Sequence, residues 1–453
     1  MTPDRPSAAA SGRAHPAPTV RVGLLGCGNV GAALAEILLT RADDVAARTG
    51  IRLELVGIAV ANPERPRPFA VPDGLLSADA AGLVERADVD VVVEVIGGLH
   101  PAHELIEAAL RRGKPVVTAN KALLAVAGAE LAEVAAAAGV DLLYEAAVAG
   151  AIPVIRPLRE SLAGEQIVRV MGIVNGTTNY ILTRMEEEGA GYDDVLREAQ
   201  ELGLAERDPT ADVDGHDAAA KAAILAALAF GSDVVDADVH REGISGISAA
   251  DVAYASRLGY SVKLLAIAEL IDGGPEMSVR VHPAMVPRTH PLASVRGAFN
   301  AVFVEGAVSG ELMLYGRGAG GGPTASAMLG DLVDASRNLL AGAPAPAPKR
   351  TSTTVFSQND MHSAFYLSMD VADRPGVLAA VAKIFGDHDV SIRAMEQVGL
   401  AEEARLIFLT HVAREGDLLA TIDELRMHKA VDRVSGVLRV IAPPGDDEAG
   451  GLS

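Results

Sequence analysis

The apolar positions of the first hundred and twenty residues fall into short blocks separated by glycine and polar turns. Residues 20–25 (VRVGLL) form one block, and after a glycine stretch Leu34, Ile37 and Leu38 recur at helical spacing, which predicts strand, tight turn and helix. Residues 52–60 are a second apolar strand. Residues 89–96 (VDVVVEVI) are a third, nearly continuous in apolar side chains, as strands buried on both faces of a parallel sheet are. Val116-Val117-Thr118 repeats the pattern and runs into Ala119-Asn120-Lys121. Further on, strand-like runs at residues 167–174 and 301–308 bracket helical stretches, which predicts a mixed sheet, and a helix is expected from about Ala325. In the last hundred residues, residues 365–371 alternate and Asp373-Arg374-Pro375-Gly376 is a turn. Val377, Leu378, Val381, Ile384 and Phe385 then recur at helical spacing. Residues 390–397, 405–412, 418–427 and 437–441 add strand, strand, helix and strand, a βαββαβ order.

The length of 453 residues makes about three domains the expectation. Residues 1–18, rich in Pro, Ala, Ser and Arg, read as a disordered extension without the apolar stretch of a secretory signal. Residues 341–350 (AGAPAPAPKR) cannot sustain a helix, because each Pro lacks an N–H, and they open a semi-rigid linker over 341–361. The divisions are then a first domain over 19–150, a second over 151–314, a small domain over 362–443, and a Gly- and acid-rich tail over 444–453. The longest apolar runs, such as residues 222–230, fall short of the ~20 residues of a membrane helix, so a cytoplasmic protein is expected. Lys plus Arg number 39 against 60 Asp plus Glu, and the net charge of -21 argues against nucleic-acid and membrane partners. A single cysteine, Cys27, excludes a disulfide framework and a thiolate metal site within one chain.

The candidate chemistry starts at the first turn, Gly26-Cys27-Gly28-Asn29-Val30-Gly31. Gly26 permits the turn, Gly28 lets backbone approach a pyrophosphate, Gly31 allows close packing of helix on strand, and the helix start offers unpaired N–H groups to the anion. With its flanking strands this reads as a Rossmann-type dinucleotide site. Cys27 is either a redox handle or, the favoured reading, a small side chain packed under the turn. No acidic residue stands at the end of the second strand, and Arg65 and Arg67 lie just beyond it. That leans toward NADP, with NAD possible, unless both arginines are solvated loop residues. Gly97 and Gly98 follow the third strand at the carboxyl end, where ligands of open α/β sheets bind. Lys121, at the same edge, suits a phosphate or a substrate carboxylate, with an exposed helix-start lysine as the alternative. In the stretch from Asp208 to Lys221, turn formers precede an Ala-rich helix on which Asp217 and Lys221 lie four apart on one face. Such a pair is usually an exposed ion pair, but the apolar run after it predicts a buried helix on which ionised groups need a reason.

Four segments carry a resemblance: Thr118-Ala119-Asn120-Lys121, residues 144–153 (YEAAVAGAIP), residues 175–180 (NGTTNY), and residues 203–206 (GLAE) running on to Lys221. With the nucleotide turn they span residues 20 to about 335, and in this order the chain resembles homoserine dehydrogenase in its monofunctional form with a C-terminal ACT domain. The resemblance implies an α/β architecture of a Rossmann-type nucleotide-binding domain over 19–150, completed by about 315–340, an α+β substrate and dimerisation domain over 151–314, and a ferredoxin-like ACT domain over 362–443. It implies NAD(P)-dependent interconversion of L-homoserine and L-aspartate 4-semialdehyde, on the branch to threonine, methionine and isoleucine. Lys221 matches the family's acid/base, and Glu206 and Asp217 match residues that hold the substrate. Thr118, Lys121 and Gly320 join the glycines as cofactor contacts. Free lysine is protonated at neutral pH, and burial beside a second cation, Lys121, is expected to lower the pKa of Lys221 and makes Lys121 a candidate for the catalytic set as well. Glu145, Val148, Gly150 and Ile152 match a monovalent-cation site, with sodium the family expectation, where a carboxylate and backbone carbonyls offer oxygen ligands. A structural loop between domains is the alternative. The DRPG turn matches the ACT effector site, which implies feedback by threonine and a homodimer or higher homo-oligomer, against a dimerisation module without ligand. Two competing readings are an inactive nucleotide and amino-acid sensor and a different ACT-bearing dehydrogenase. The joint presence of Lys121, Glu206, Asp217 and Lys221 disfavours the first, and the lack of a His-carboxylate pair at the strand ends disfavours the second.

Overall fold

The structure, a computed structural model, describes residues 17–344, 354–400 and 403–441. Residues 1–16, the middle of the linker and the tail read from the sequence lie outside the described residues.

The first sheet is built from β1 (Thr19–Leu25), β2 (Arg52–Ala59), β3 (Leu76–Ser77), β4 (Val91–Glu94), β5 (Val116–Thr118) and β6 (Leu142–Leu143). All pairs are parallel and the order is β3-β2-β1-β4-β5-β6. The order reverses between β1 and β4, so the carboxyl ends of those strands open a crevice, the place where a ligand binds in such sheets. Val20, Val22, Val91 and Val93 are wholly buried, which is why these short strands read as apolar runs rather than alternations. The helix Gly321–Ala341 returns from far along the chain to this layer. Its Ala325, Met328 and Leu332 share one core with Leu34 and Leu38 of the helix Asn29–Thr40. It begins at Gly321, earlier than expected from periodicity, because Pro323 in the first turn costs no hydrogen bond.

The second sheet contains β7 (Ile167–Ile173), β8 (His240–Arg241), β9 (Tyr260–Leu270), β10 (Glu276–Pro287), β11 (Phe299–Gly306) and β12 (Gly310–Arg317). It continues with β13 (Thr354–Val355), β14 (His362–Ala372), β15 (Ile392–Leu400), β16 (Glu403–Thr410), β17 (Ala413–Arg414) and β18 (Val431–Val440). Its main path runs β12-β11-β7-β9-β10-β18-β14-β16-β15. The long antiparallel pair β9 and β10 is absent from the reading of the sequence. Nearly every residue of β10 is buried, so the strand shows no alternation, and Arg280, His282, Pro283 and Pro287 interrupt its apolar character. The helix His216–Phe230 shares a core with these strands through Ala219, Ala222, Ala226, Leu264, Ala266 and Val281.

Residues 362–440 give the βαββαβ order, with Phe365, Leu367, Ile384, Phe385, Phe408 and Leu418 in one core. This unit is not a separate bead. β18 pairs with β10 in parallel (Ala284↔Arg439, Met285↔Val440), so one sheet passes through both units. Residues 354–361, read as linker, instead hold β13, which pairs with β10, and the short helical turn Gln358–Asp360. A two-residue strand leaves no periodicity to read. No helix among the described residues is long and apolar enough to cross a membrane.

Candidate active site

The glycine turn has the shape its motif demands. Gly26 has φ 99°, and a Cβ on it would stand 2.6 Å from Val95 O. A Cβ on Gly31 would stand 2.4 Å from Gly26 O, so the helix packs on the turn at a distance only glycine allows. A Cβ on Gly28 would meet nothing within 4 Å beyond its chain neighbours, and no side chain caps the helix that starts at Asn29, so its first N–H groups are left for an anion. Cys27 is buried, and burial raises its thiol pKa, in keeping with the packing role. Arg67 reaches across the turn, donating to Cys27 O at 3.1 Å and to Asn62 O at 2.8 Å, whereas Arg65 is exposed.

Gly97 and Gly98, both at positive φ (79° and 74°), are fixed by two side chains not selected from the sequence. Glu94, wholly buried at the end of β4, accepts from Ile96 N and Gly97 N at 2.8 and 3.0 Å. Asn120 donates to Gly98 O at 2.7 Å and caps the helix Lys121–Ala138 by accepting from Leu123 N. Thr118 is wholly buried, with its hydroxyl donating to Glu94 at 2.6 Å and accepting from Asn120 N at 3.0 Å. The Thr118 hydroxyl is therefore taken up in shaping the strand end between Glu94 and Asn120. On the opposite wall Gly320, φ 118°, precedes the returning helix, and a Cβ on Gly321 would stand 2.9 Å from Asn29 O, so this loop abuts the nucleotide turn.

Lys221 is 8% exposed in the middle of an almost wholly apolar helix. Its ammonium donates to Asp217 Oδ2 at 2.7 Å and to Val174 O, just after β7, at 2.6 Å. An ammonium has three donors, so one remains for a substrate oxygen. Asp217 sits in the first turn of the same helix, where the positive end favours a carboxylate. Its other oxygen, Oδ1, meets Lys121 Nζ at 2.9 Å. Asn175, the N-cap of the helix Gly176–Glu188, donates to Asp217 at 2.9 Å and to Asp212 at 2.7 Å. Burial opposes ionisation of Asp217, but the two ammonium groups hold its carboxyl far below the usual range. Burial raises the Asp212 pKa. Lys121 is drawn in the other direction by burial, yet Asp217, Asp212 and Glu206 lift its pKa.

The cluster thus unites Lys221, Asp217 and Lys121, with Asp217 between the two cations. Glu206 is exposed on the rim, and its main-chain oxygen accepts from Gln200 at 3.2 Å. Asn175 and Asp212 were overlooked, although Asn175 shows the signal of an N-cap at a strand end.

Residues 145–152 link the two domains. Glu145 Oε1 and Oε2 accept from Ile155 N and Arg156 N at 2.8 and 2.9 Å, and Ala149 and Gly150 both lie at positive φ (56° and 59°). No described backbone hydrogen bond outside the helices and strands ends on the carbonyls of Glu145, Val148, Gly150 or Ile152. A Cβ on Gly150 would stand 2.4 Å from Gly318 O, which locks this loop to the glycine run before the returning helix.

Comparison with known proteins covers both walls of the crevice. Residues 26–145 match the family "Homoserine dehydrogenase, NAD binding domain", residues 153–333 match "Homoserine dehydrogenase", and residues 365–426 match "ACT domain". The homoserine dehydrogenase of Corynebacterium glutamicum is 51% identical over 429 residues, 94% of this chain and 96% of that protein. The crystal structure of a homoserine dehydrogenase from Thiobacillus denitrificans is similar at TM-score 0.87 and 41% identity, covering 93% of this chain and 98% of that one. A hyperthermophilic archaeal homoserine dehydrogenase in complex with NADPH matches at TM-score 0.59 and 30% identity, over 71% of this chain and 98% of that one. The parallel sheet with its open turn and the matched substrate domain together define an oxidoreductase that acts on a CH–OH group with a nicotinamide dinucleotide. The chain belongs to the homoserine dehydrogenase family, and it has the C-terminal ACT domain.

Proposed function

We propose that this protein interconverts L-homoserine and L-aspartate 4-semialdehyde with Lys221 as the acid/base, and that it serves the biosynthesis of threonine, methionine and isoleucine under threonine control. The observation that carries the assignment of residues is Asp217, buried and bridging Lys221 and Lys121 at 2.7 and 2.9 Å. The nicotinamide cofactor, when bound, supplies or takes the hydride. In the reducing direction the third N–H of Lys221 gives its proton to the carbonyl oxygen as it becomes a hydroxyl, and in the oxidising direction the amine takes it back. Asp217 keeps Lys221 aimed, and Asp212 and Glu206 suit the substrate ammonium. The free donors of Lys121, partly exposed at the crevice, suit a substrate carboxylate or a cofactor phosphate.

For the cofactor we favour NADP(H). Supporting this are the lack of an acidic residue at the very end of β2, Arg67 fixed across the turn where a 2′-phosphate would lie, and the archaeal relative in complex with NADPH. Gly26, Gly28, Asn29, Val30, Gly31, Gly97, Gly98 and Gly320 would line it. For the cation we favour sodium on the main-chain carbonyls of Glu145, Val148, Gly150 and Ile152, because hard cations take oxygen ligands and the Glu145 carboxylate already caps two backbone donors. The ion would stiffen the junction without joining the chemistry. For threonine we favour the turn Asp373-Arg374-Pro375-Gly376, which lines a 380 Å³ cavity with Gln397 and Leu406. A homodimer is supported by β12, an edge strand that exposes Leu312, Met313 and Tyr315.

One assay tests the whole reading: NADPH and NADH consumption followed by absorbance with aspartate semialdehyde, with and without threonine. Turnover, faster with NADPH and lowered by threonine, is the expected outcome. Turnover indifferent to threonine rejects the effector, equal rates with both cofactors reject the NADP preference, and a folded, nucleotide-binding protein without turnover rejects the substrate.

A further inference from the structure

The ACT domain grips the substrate domain through a side chain as well as through β18. Arg439 on β18, 5% exposed, gives Nε and Nη2 to the two oxygens of Glu415 at 2.9 and 2.7 Å within its own domain. Its Nη1 goes to Glu242 Oε1 of the substrate domain at 2.9 Å. Glu242 directly follows β8. Its N–H donates to Val281 O on β10 at 2.8 Å, and its Oε1 also meets His240 Nε2 at 2.9 Å. The backbone it anchors lies against the segment between Asp212 and Asp217. A Cβ on Gly243 would stand 2.4 Å from Val213 O and 2.7 Å from Asp214 Cα, and Ile244 N donates to Val213 O at 2.8 Å. Gly215, which opens the helix of Asp217 and Lys221 at φ 82°, is backed by Glu242 O and Val281, 3.5 and 3.4 Å from where its Cβ would be. Residues 213–215 thus rest on residues 242–244, and an arginine of the ACT domain holds the latter.

We propose that Glu242 and Gly243 are positioning residues for the dehydrogenase reaction. The Arg439–Glu242 pair presses residues 242–244 onto residues 213–215 and thereby sets where Asp212 and Asp217 stand toward the substrate. Misplacement of such groups by about 1 Å can cost on the order of 100-fold in rate. The regulatory consequence rests on the effector reading above: a displacement of β18 when the ACT domain binds its effector moves the substrate-holding carboxylates, with no contact between effector and substrate.

The test uses the full chain and three variants, Gly243→Ala, Glu242→Gln and Glu242→Ala, with steady-state kinetics in both directions and a thermal melt for each. Gly243→Ala adds one methyl where backbone φ permits it, so its effect reports the contact with residues 213–214. It is expected to lower kcat/KM for homoserine by about tenfold or more while the KM for NADP(H) stays within about twofold. Glu242→Ala is expected to act in the same direction, and Glu242→Gln, which still accepts from Arg439, to recover most of the loss. A merely structural role would move the melt and the cofactor KM along with the substrate term. Folded Gly243→Ala with wild-type kcat and KM for homoserine overturns the proposal, whether or not Glu242→Ala folds. Threonine inhibition of the wild type that survives unchanged in Glu242→Ala overturns the regulatory consequence. A wild type that ignores threonine sinks the effector reading alone, and the homoserine kinetics of Gly243→Ala still decide the positioning role.

Discussion

At the scale of single residues, burial decides which charges carry meaning. Asp217 and Lys221 are four apart on a helix, a spacing that on a surface contributes a few tenths of a kcal/mol. Here each side chain is 10% exposed, and the aspartate serves a second cation. Asp217→Asn is expected to lower kcat for homoserine oxidation by about 100-fold, because the amide cannot hold both ammonium groups as the carboxylate does. Near-normal turnover of that variant would sink the bridging role. Lys263 is a second buried cation, with Nζ on Asn179 Oδ1 at 3.1 Å and Val295 O at 2.5 Å. Burial lowers its pKa to about 8. In the window from that value to the ordinary lysine pKa the unfolded chain binds more protons, so stability from this group rises with pH and is smallest below it. The melting temperature of wild type minus that of Lys263→Met should increase between pH 8 and 10, and a flat difference would refute a depressed pKa. Lys221 and Asp217 were legible because a motif and an apolar run marked them. Lys263 was not, since a lysine inside an unread strand carries no local sign of its burial.

At the scale of elements, the glycines decide how closely pieces approach. Gly31→Ala would place a methyl 2.4 Å from Gly26 O, so the helix must lift from the nucleotide turn. The expected result is a KM for the nicotinamide cofactor raised about tenfold with a loss of about 1–3 kcal/mol of stability, measured by kinetics and denaturant unfolding. An unchanged cofactor KM would show that this close approach is not what shapes the site. The parallel strands and the glycine turn were readable because their residues are neighbours in sequence. The clasp that fixes Gly97 and Gly98 was not, because Glu94, Thr118 and Asn120 come from two strands and meet only after β4 and β5 pair.

At the scale of the whole molecule, the sheet shared by the substrate and ACT domains makes the two dependent on each other. Besides β18 on β10, the buried Asp251 of the substrate domain accepts from Tyr366 and Ser368 of the ACT domain at 3.0 and 2.6 Å. Removal of residues 351–453 would leave Asp251 and Glu242 without these donors and uncover an edge of β10, and a buried group that loses its partner costs about 1–3 kcal/mol. The truncated chain is expected to melt at lower temperature and to self-associate, as light scattering would show. A monodisperse truncation with unchanged melting would mean the domains are independent. Threonine sensitivity is therefore better tested by single changes at residues 373–376 than by deletion.

The sequence by itself determined the local units: the strand, glycine turn and helix, the Ala-rich helix with its aspartate and lysine, and the βαββαβ tail. Those follow from periodicity and turn chemistry, which act between near neighbours. Only the tertiary structure decided that Asp217 stands between Lys221 and Lys121, that Thr118 faces inward, that β9 and β10 form the centre of a sheet, and that β18 extends it. These depend on which buried surfaces meet, from 24 residues apart for Glu94 and Thr118 to more than a hundred for β10 and β18, and no spacing within one element encodes such meetings.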